Sequence, residues 1–380
     1  MQIIPIAGGK GGVGKSLLAV NLSIALSQAG KRTVLADLDL GGSNLHMMLG
    51  SGRNTSGIGT WLTRSEVEFS DIVLDSEYEN LRFIPGDAEI PGLANITSNQ
   101  KRSLIKNLGG LDADFVILDL GAGTSFNTLD FFLISGSGII VTAPALTATL
   151  NAYLFLKNVV FRMISSSFNG KSPAKTYLEQ VASDGDGLQR IYIPGLLEKL
   201  EGLDPVKFAR FLKKTEHFSP MIVMNMIEDP KDSVKAEKIK RSCEQYLGVD
   251  MEYLGVIYRD HLQDIALNSR LPIIKYKPES VISMAVYRIA DRIIQKSSED
   301  HSLLDIQTLD ESYQNAEMEA ELDFDFKQQD LEALLHSGAL TKGELIETVK
   351  SQQYDISVLR KENNLLKSKL IKASEQGFKI

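Results

Sequence analysis

The sequence is poor in cysteine and has no long uninterrupted apolar segment. Cys243 is the one cysteine among 380 residues, which excludes an intrachain disulfide framework and a cysteine-held zinc or iron–sulfur site. The longest apolar runs, such as 139–144, are far shorter than the roughly 20 residues that a membrane-spanning helix needs. The first residues carry no basic segment typical of a secretory signal. We therefore expect a protein of the reducing cytoplasm.

The acidic excess of the chain is confined to one stretch. The formal net charge is −8, yet residues 1–298 hold 32 acidic and 32 basic side chains. Residues 299–330 hold eleven acidic residues and one basic residue, whereas residues 331–380 hold six acidic and eight basic residues. Self-repulsion predicts an acidic linker over 298–330, which is either a solvated spacer or a docking segment for a basic partner.

Short apolar runs alternate with helical patterns through most of residues 1–297. Apolar strands separated by helices predict an α/β fold, in which a mainly parallel sheet has helices on both faces. The predicted strands are Ile3–Ala7, Thr33–Asp37, Leu81–Ile84, Phe115–Asp119, Ile139–Ala143, Met221–Asn225 and Tyr253–Ile257. The predicted helices are Ser16–Ala29, Asn99–Leu108, Thr147–Ile164, Ser233–Leu247 and Glu279–Gln295.

Residues 166–219 interrupt this alternation and are interpreted as an insertion in the domain 1–297. The insertion contains a basic, helix-like piece at 205–214. Its basic face is either a solvated helix surface or a contact for an acidic partner or lipid headgroups.

The most informative segment is a glycine-rich turn between the first predicted strand and the first predicted helix. It matches G-x-x-x-x-G-K-[ST] in the strand–turn–helix context that a phosphate-binding loop requires. Glycines let consecutive backbone N–H groups surround an anion, and the helix adds the positive end of its dipole. Lys15 is expected to bind the β- and γ-phosphates, and the Ser16 hydroxyl to bind Mg²⁺. The predicted nucleotide-binding residues of this turn are Gly9, Lys10, Gly11, Gly12, Val13, Gly14, Lys15, Ser16 and Leu17.

Lys10 is a second lysine that the general pattern does not require. The motif from Lys10 to Ser16 resembles the deviant Walker A motif of the MinD/ParA family of P-loop ATPases. The resemblance, which covers roughly 1–165 and 220–296, implies ATP and Mg²⁺ as cofactors and an ATP-dependent homodimer. It also implies that Lys10 reaches the partner's phosphates, where it neutralises charge as an arginine finger does in other enzymes.

Further site residues follow from the same resemblance. It implies that Asp39 positions the attacking water, that Asp37 lies near Mg²⁺, and that Asp119 of a Walker B-like strand holds Mg²⁺ through water. The segment 121–123 resembles the switch that senses the γ-phosphate, and Asn225 matches an adenine-contacting asparagine. Each acidic residue could alternatively cap a helix. The predicted catalytic residues are Lys10, Lys15 and Asp39, and the predicted metal-site residues are Ser16, Asp37, Asp39 and Asp119.

Several segments resemble the FlhG branch of MinD-like ATPases, which regulates flagellar number. Ala145 and Asn151 depart from that branch, because acidic residues are usual at both positions. The similar segments are Ile84–Asp87, Gly92–Thr97, Leu118–Gly123, Val141–Thr147 and Ser269–Ile273.

Residues 331–380 are predicted to form a helical tail with heptads over about 343–373. Asn363 occupies an a position, where a polar residue tends to fix the register of a parallel two-stranded coiled coil. Packing of the helix on its own core and peripheral membrane contact through the basic, apolar residues of the tail are the alternatives. The predicted core positions are Val349, Ile356, Asn363 and Leu370 at a, and Leu345, Gln352, Leu359, Leu366 and Ala373 at d.

Together these features predict a slow, partner-stimulated ATPase that acts as a dimerising switch. It would control the placement or number of a cellular structure such as flagella through an unidentified protein partner. One alternative is a ParA-like partitioning ATPase on DNA, which the neutral body disfavours. The other is a nucleotide-binding coiled-coil scaffold without turnover, against which the complete set of site residues argues.

Overall fold

Within the residues that the structure describes, eight β-strands form one sheet, which is parallel throughout except at one edge. The strands are β1 (Gln2–Ala7), β2 (Thr33–Leu38), β3 (Leu74–Asp75), β4 (Leu81–Ile84), β5 (Phe115–Leu120), β6 (Ile139–Thr142), β7 (Met221–Ile227) and β8 (Glu252–Tyr258). Their order is β3-β4-β2-β5-β1-β6-β7-β8, and only β3 pairs antiparallel with its neighbour β4. All seven predicted strands are present, and the predicted fold class is confirmed.

This computed structural model describes most of the chain. The described residues are 1–40, 42, 45–50, 56–87, 96–168, 171–183 and 192–298, with single positions 320, 321, 323–325, 328, 350, 353, 357 and 363. The chain divides into two compact units, Met1–Phe324 and Asp325–Ile380. The described positions of the second unit are helical and exposed.

Pro5 lies inside the central strand β1, although proline cannot donate to a β-ladder. It is opposite Leu118 of β5, while the pairing of β1 with β6 begins only at Ile6. The predicted strand Ile3–Ala7 nevertheless includes Pro5, and β1 continues to Ala7 as predicted. The late start of the β6 pairing explains how the strand tolerates proline.

Helices cover both faces of the sheet. They are α1 (Lys15–Gln28), α2 (Leu45–Met48), α3 (Ile58–Thr63), α4 (Ser98–Gly109), α5 (Phe126–Phe132), α6 (Leu146–Ser167), α7 (Pro173–Ser183), α8 (Ile193–Leu203), α9 (Pro205–Thr215), α10 (Val234–Leu247), α11 (Leu262–Asn268), α12 (Ile273–Tyr276) and α13 (Val281–Ser298). One apolar core includes residues of α1, α12 and α13, and the other includes residues of α4, α5, α6 and α10. None of the described helices is long and apolar enough to span a membrane.

Helix α1 is buried on almost every side, which holds the preceding loop firmly in place. Leu18, Leu22 and Leu26 are fully buried, and burial of each such side chain contributes about 1.5–3 kcal/mol. The buried amide of Asn21 is satisfied twice, because Nδ2 donates to Leu17 O at 2.8 Å and Oδ1 accepts from Ile274 N at 3.1 Å. The middle of α1 is therefore tied to α12.

The predicted insertion 166–219 folds onto the core through helices. Phe211 of α9 is buried and lies 6.3 Å from the ring of Phe168, measured between centroids. Leu196 and Leu200 of α8 are buried in the same core as α6. Lys213 and Lys214 of α9 are exposed, as the basic face predicts.

The C-terminal predictions fall largely outside the described residues. Of the predicted heptad core positions only Asn363 is described, and it is helical and exposed. The linker, the tail and the coiled coil therefore stay predictions. Four described residues of the acidic stretch belong to the first compact unit: Ala320, Glu321, Asp323 and Phe324.

Candidate nucleotide-binding site

The predicted site residues meet at the carboxyl edge of the parallel sheet. The loop 8–14 follows β1, Asp37 lies near the end of β2, Asp119 near the end of β5, and Asn225 near the end of β7. In open parallel sheets, ligands bind outside the carboxyl ends of the strands. The structure therefore brings together residues that are up to 216 positions apart in the sequence, as Gly9 and Asn225 are.

The glycine-rich loop has the backbone that an anion nest requires. Gly12 and Gly14 have φ angles of 77° and 91°, in the left-handed region that glycine adopts without strain. Gly14 precedes the first residue of α1, and Lys15 is buried. A Cβ atom at Gly14 would collide with the Asn225 amide, and one at Gly9 with the backbone of Asn151. Gly14 and Gly9 thus permit the close approach of the Asn225 side chain and of the Asn151 backbone, respectively, to the loop.

The two lysines of the loop have opposite surroundings. Lys15 is 8% exposed, whereas Lys10 is exposed to solvent. The Lys10 Nζ donates to Thr147 Oγ1 of α6 at 3.3 Å. Lys10 is therefore held at the surface beside the start of α6.

Asp37 and Asp119 are both buried and lie opposite each other on β2 and β5. Asp37 accepts hydrogen bonds from Asp39 N at 3.1 Å and from Leu45 N at 3.4 Å. It therefore caps the turn and the start of α2, as the capping alternative predicted, in addition to facing the site. Burial, with Asp37 nearby, raises the pKa of Asp119 to about 7.

This carboxylate pair fits a divalent cation. The Ser16 hydroxyl bonds to Asp119, yet Asp119 Oδ1 is buried and has no hydrogen-bond partner among the described residues. A buried carboxylate oxygen without a partner is costly, and a cation beside it would restore the ionised form. Oxygen donors from Asp and Ser are those that Mg²⁺ prefers. Ser16, Asp37 and Asp119 can thus provide a Mg²⁺ site.

Asp39 lies at the entrance of the site and packs against two glycines. A Cβ atom at Gly42 would lie 3.6 Å from its Oδ2, and one at Gly121 would lie 2.9 Å from its Oδ1. Gly121 belongs to the predicted switch segment, and Gly123 N donates to Gly8 O at 3.5 Å. The switch segment therefore touches both the phosphate loop and Asp39.

Asn225 joins the end of β7 to the phosphate loop. Its Nδ2 donates to Val13 O at 2.8 Å, and its Oδ1 accepts from Met226 N at 2.9 Å. Met226 has a φ of 59°, and the β7–β8 pairing shifts register between Asn225 and Ile227. The irregular strand turns Asn225 toward the loop. Its predicted contact with adenine stays a prediction.

Sequence reasoning missed the contribution of α6 and β6. Thr147 and Asn151 contact the loop residues Lys10 and Gly9, from 137 or more positions away in the chain. Thr142 at the end of β6 is buried, and its Oγ1 has no partner within the part of the chain that is described. The sequence analysis named Val141–Thr147 and Asn151 only for their relation to the FlhG branch and assigned them no contact with the phosphate loop. The part of the predicted FlhG-like segment Gly92–Thr97 that precedes Ile96 lies outside the described residues.

Comparisons with known proteins agree with this geometry. A family model described as the CobQ/CobB/MinD/ParA nucleotide binding domain matches residues 4–273. The antiactivator FleN of Pseudomonas aeruginosa is 22% identical over 298 residues, which are 77% of this chain and 86% of FleN. The septum site-determining protein MinD of Synechocystis is 30% identical over 201 residues, 51% of this chain and 73% of that protein.

Solved structures show the same fold. MinD from Pyrococcus horikoshii, complexed with Mg-ADP, has a TM-score of 0.53 at 20% identity and covers 78% of this chain and 97% of that one. MinD in the MinC:MinD complex of Aquifex aeolicus has a TM-score of 0.52 at 19% identity, over 80% and 99% of the two chains. The predicted P-loop ATPase class, with ATP and Mg²⁺ as cofactors, is confirmed at the level of the family. The chain belongs to the CobQ/CobB/MinD/ParA family of nucleotide-binding proteins.

Proposed function

We propose that this MinD-family ATPase switches by forming an ATP-dependent homodimer, and that Lys10 completes the partner's site. The observation that carries the proposal is the contrast between the two lysines of one loop. Lys15 is buried where phosphates would bind, whereas Lys10 is exposed and held by Thr147 at the surface. A second lysine at the rim can neutralise phosphate charge only for a molecule that faces the loop.

The surface near Lys10 is apolar. Such a surface is expected if a second subunit covers it in the proposed ATP-bound dimer. Leu146 and Leu150 of α6, the helix that carries Thr147, are 83% and 54% exposed. Phe126, which begins α5 shortly after the switch segment, is 70% exposed, and the Arg162 guanidinium lies 5.0 Å from its ring centroid. Exposed apolar residues around a functional loop are typical of interaction sites.

In the proposed reaction, Asp39 orients the water that attacks the γ-phosphate, and Lys15 with the loop N–H groups holds the phosphates. Ser16, Asp37 and Asp119 would hold Mg²⁺, which neutralises charge on the β- and γ-phosphates. Asn225 would face the adenine. Hydrolysis would remove the γ-phosphate from the switch segment at Gly121 and reopen the dimer. The rate of hydrolysis would therefore set the lifetime of the dimer.

Four proteins test the dimer and the roles of both residues: wild type, Lys10→Ala, Asp39→Ala and the control Lys106→Ala, an exposed lysine of α4. Mass by light scattering and phosphate release are measured with ATP and Mg²⁺. We expect Asp39→Ala to remain dimeric without turnover and Lys10→Ala to remain monomeric, while Lys106→Ala behaves as wild type. Dimerisation of Lys10→Ala would refute the role of Lys10. Absence of wild-type turnover with lipid, DNA and candidate partners would favour the scaffold function.

We further propose that the switch controls the number or placement of a cellular structure such as flagella. Support comes from the match to the antiactivator FleN over most of both chains and from the FlhG-like segment Ile84–Asp87. In that segment Asp87 accepts from Gly57 N at 2.6 Å and Thr60 N at 2.9 Å, so it holds the start of α3. Deletion of the gene should change flagellar number, and the Asp39→Ala protein should retain the partner from lysate. An unchanged flagellar count after deletion would contradict this assignment.

The tail is proposed to add a coiled coil to the nucleotide-dependent contact. Its heptads lie mostly outside the described residues, so the proposal rests on the sequence pattern alone. Deleting 343–380 should abolish any self-association that needs no nucleotide and leave ATP-dependent dimerisation intact. Loss of binding to anionic vesicles in the same deletion would instead indicate the membrane contact.

A further inference from the structure

Part of the acidic stretch returns to the sheet and is buried there. Ala320 is fully buried, and its carbonyl oxygen accepts a hydrogen bond from the Tyr258 hydroxyl. Asp323 is 4% exposed and forms an ion pair with Arg288. The ring of Phe324 packs on that of Tyr258, with 6.3 Å between centroids. A solvated spacer would make none of these contacts.

The three contacting residues lie on one face of a helical segment. Positions 320, 321 and 323–325 are helical, and the spacing i, i+3, i+4 places Ala320, Asp323 and Phe324 side by side. Glu321 and Asp325 are exposed. The acids of this segment are therefore not equivalent, since one is buried against a cation and its neighbours face solvent.

The receiving surface belongs to the body of the ATPase domain. Tyr258 is the last residue of β8, and Arg288 lies in α13. A buried tyrosine hydroxyl requires a hydrogen-bond partner, and a buried carboxylate requires a cation. Ala320 itself is completely buried. The surface thus suits a small residue followed three and four positions later by an acid and an aromatic ring.

We infer that Tyr258 and Arg288 form a docking site for the chain's own segment 320–324, which this site anchors at the carboxyl edge of the sheet. Tyr258 pairs with Ile227, two residues after Asn225 on β7. The anchor therefore holds segment 320–324 against the strand next to the one that carries Asn225. On this inference the ATPase domain extends to Phe324. The inference does not depend on dimerisation or on turnover.

Hydrogen exchange of the full-length chain tests the anchor. Asp323→Lys reverses the buried charge, and Glu321→Lys makes the same charge change on the exposed face as a matched control. We expect amide protection over 320–325 to fall at least tenfold in Asp323→Lys and to stay within about twofold in Glu321→Lys. The charge swap, Asp323→Lys with Arg288→Asp, should restore most of the protection, because the ion pair is rebuilt with opposite polarity.

Tyr258→Phe provides a second variant that keeps the ring and removes only the hydroxyl. It should lower protection over 320–325 severalfold while circular dichroism shows an intact fold, which keeps the inference testable if Asp323→Lys does not fold. Equal effects of Asp323→Lys and Glu321→Lys would overturn the docking site. Wild-type amides over 320–325 that exchange at the rate of an unfolded peptide would overturn it as well.

Discussion

Gly121 lies directly against the carboxylate of Asp39. A Cβ atom at position 121 would be 2.9 Å from Asp39 Oδ1 and 3.3 Å from its Cγ. The backbone after β5 therefore limits where the Asp39 carboxylate can be, and only a residue without a side chain fits. A movement of the switch segment at Gly121 and the position of Asp39 are thus directly connected.

The first prediction concerns Gly121→Ala. The added methyl group forces the Asp39 carboxylate to move by a few tenths of an ångström, and catalysis is sensitive to such displacements. We expect ATP turnover to fall about tenfold, while the Kd for ATP stays within about twofold because the phosphate loop is unchanged. Steady-state phosphate release and titration with a fluorescent ATP analogue measure the two quantities.

Gly109→Ala is the matched control for this substitution. Gly109 ends α4, and a Cβ atom there would meet nothing within 4 Å. Alanine at this position should leave turnover unchanged and raise the free energy of unfolding by about 0.5–1 kcal/mol. If Gly121→Ala turns over ATP as fast as Gly109→Ala does, the proposed role of Asp39 in orienting water is contradicted.

The second prediction concerns the asparagine that joins β7 to the phosphate loop. Asn225→Asp keeps the size of the side chain but replaces the Nδ2 donor with an oxygen that faces the Val13 carbonyl. The loss of a buried hydrogen bond costs about 1–3 kcal/mol, so we expect the Kd for nucleotide to rise about tenfold or more. Asn158→Asp is the control, because Asn158 Nδ2 makes a similar bond to Leu154 O at 2.7 Å within α6. A similar rise in Kd for both variants would contradict a specific role of Asn225.

The sequence predicted the strands and helices that have a clear apolar pattern over neighbouring residues. Apolar β-rich runs identified every long strand, and a glycine beyond the last periodic residue located the end of α10, where Gly248 has a φ of 64°. The two-residue strand β3 is too short to show a period. Helix α5 escaped prediction although Ser125 is a readable N-cap, whose Oγ accepts from Thr128 N at 3.2 Å. Its brevity, seven residues, gives little periodic signal.

The sequence identified the residues of the site but not the contacts between them. The motif predicted Lys10 and Lys15 equally well, yet the side chain that holds Lys10 at the surface comes from α6, which is distant in sequence. The support of Lys10 by Thr147 follows from the β1–β6 pairing, which no local pattern reveals. Charge counting likewise described the acidic stretch as uniform. Only tertiary packing distinguishes Asp323 from Glu321.

Asp130 of α5 connects three helices, α4, α5 and α6. It accepts from Arg162 Nε at 2.6 Å and from Lys101 Nζ at 2.5 Å, which ties α5 to α6 and α4. Burial alone would raise the pKa of Asp130, but the hydrogen bonds from Arg162 and Lys101 outweigh it and hold the pKa below its ordinary value. The ionised form is therefore more stable in the folded chain than in the unfolded chain.

The third prediction follows from the sign of this shift. A carboxyl with a depressed folded pKa stabilises the fold fully above its unfolded pKa of about 3.9, and this contribution is lost as the pH falls through the folded value. Asp130→Asn should therefore lower the free energy of unfolding by about 1–3 kcal/mol at pH 6–8, and the difference from wild type should shrink below about pH 4. Urea unfolding at several pH values measures it. Asp112→Asn, at an exposed partner of Arg32, should change stability by less than about 0.5 kcal/mol. A deficit of Asp130→Asn that is independent of pH down to pH 3 would show that the ion pairs do not stabilise the fold.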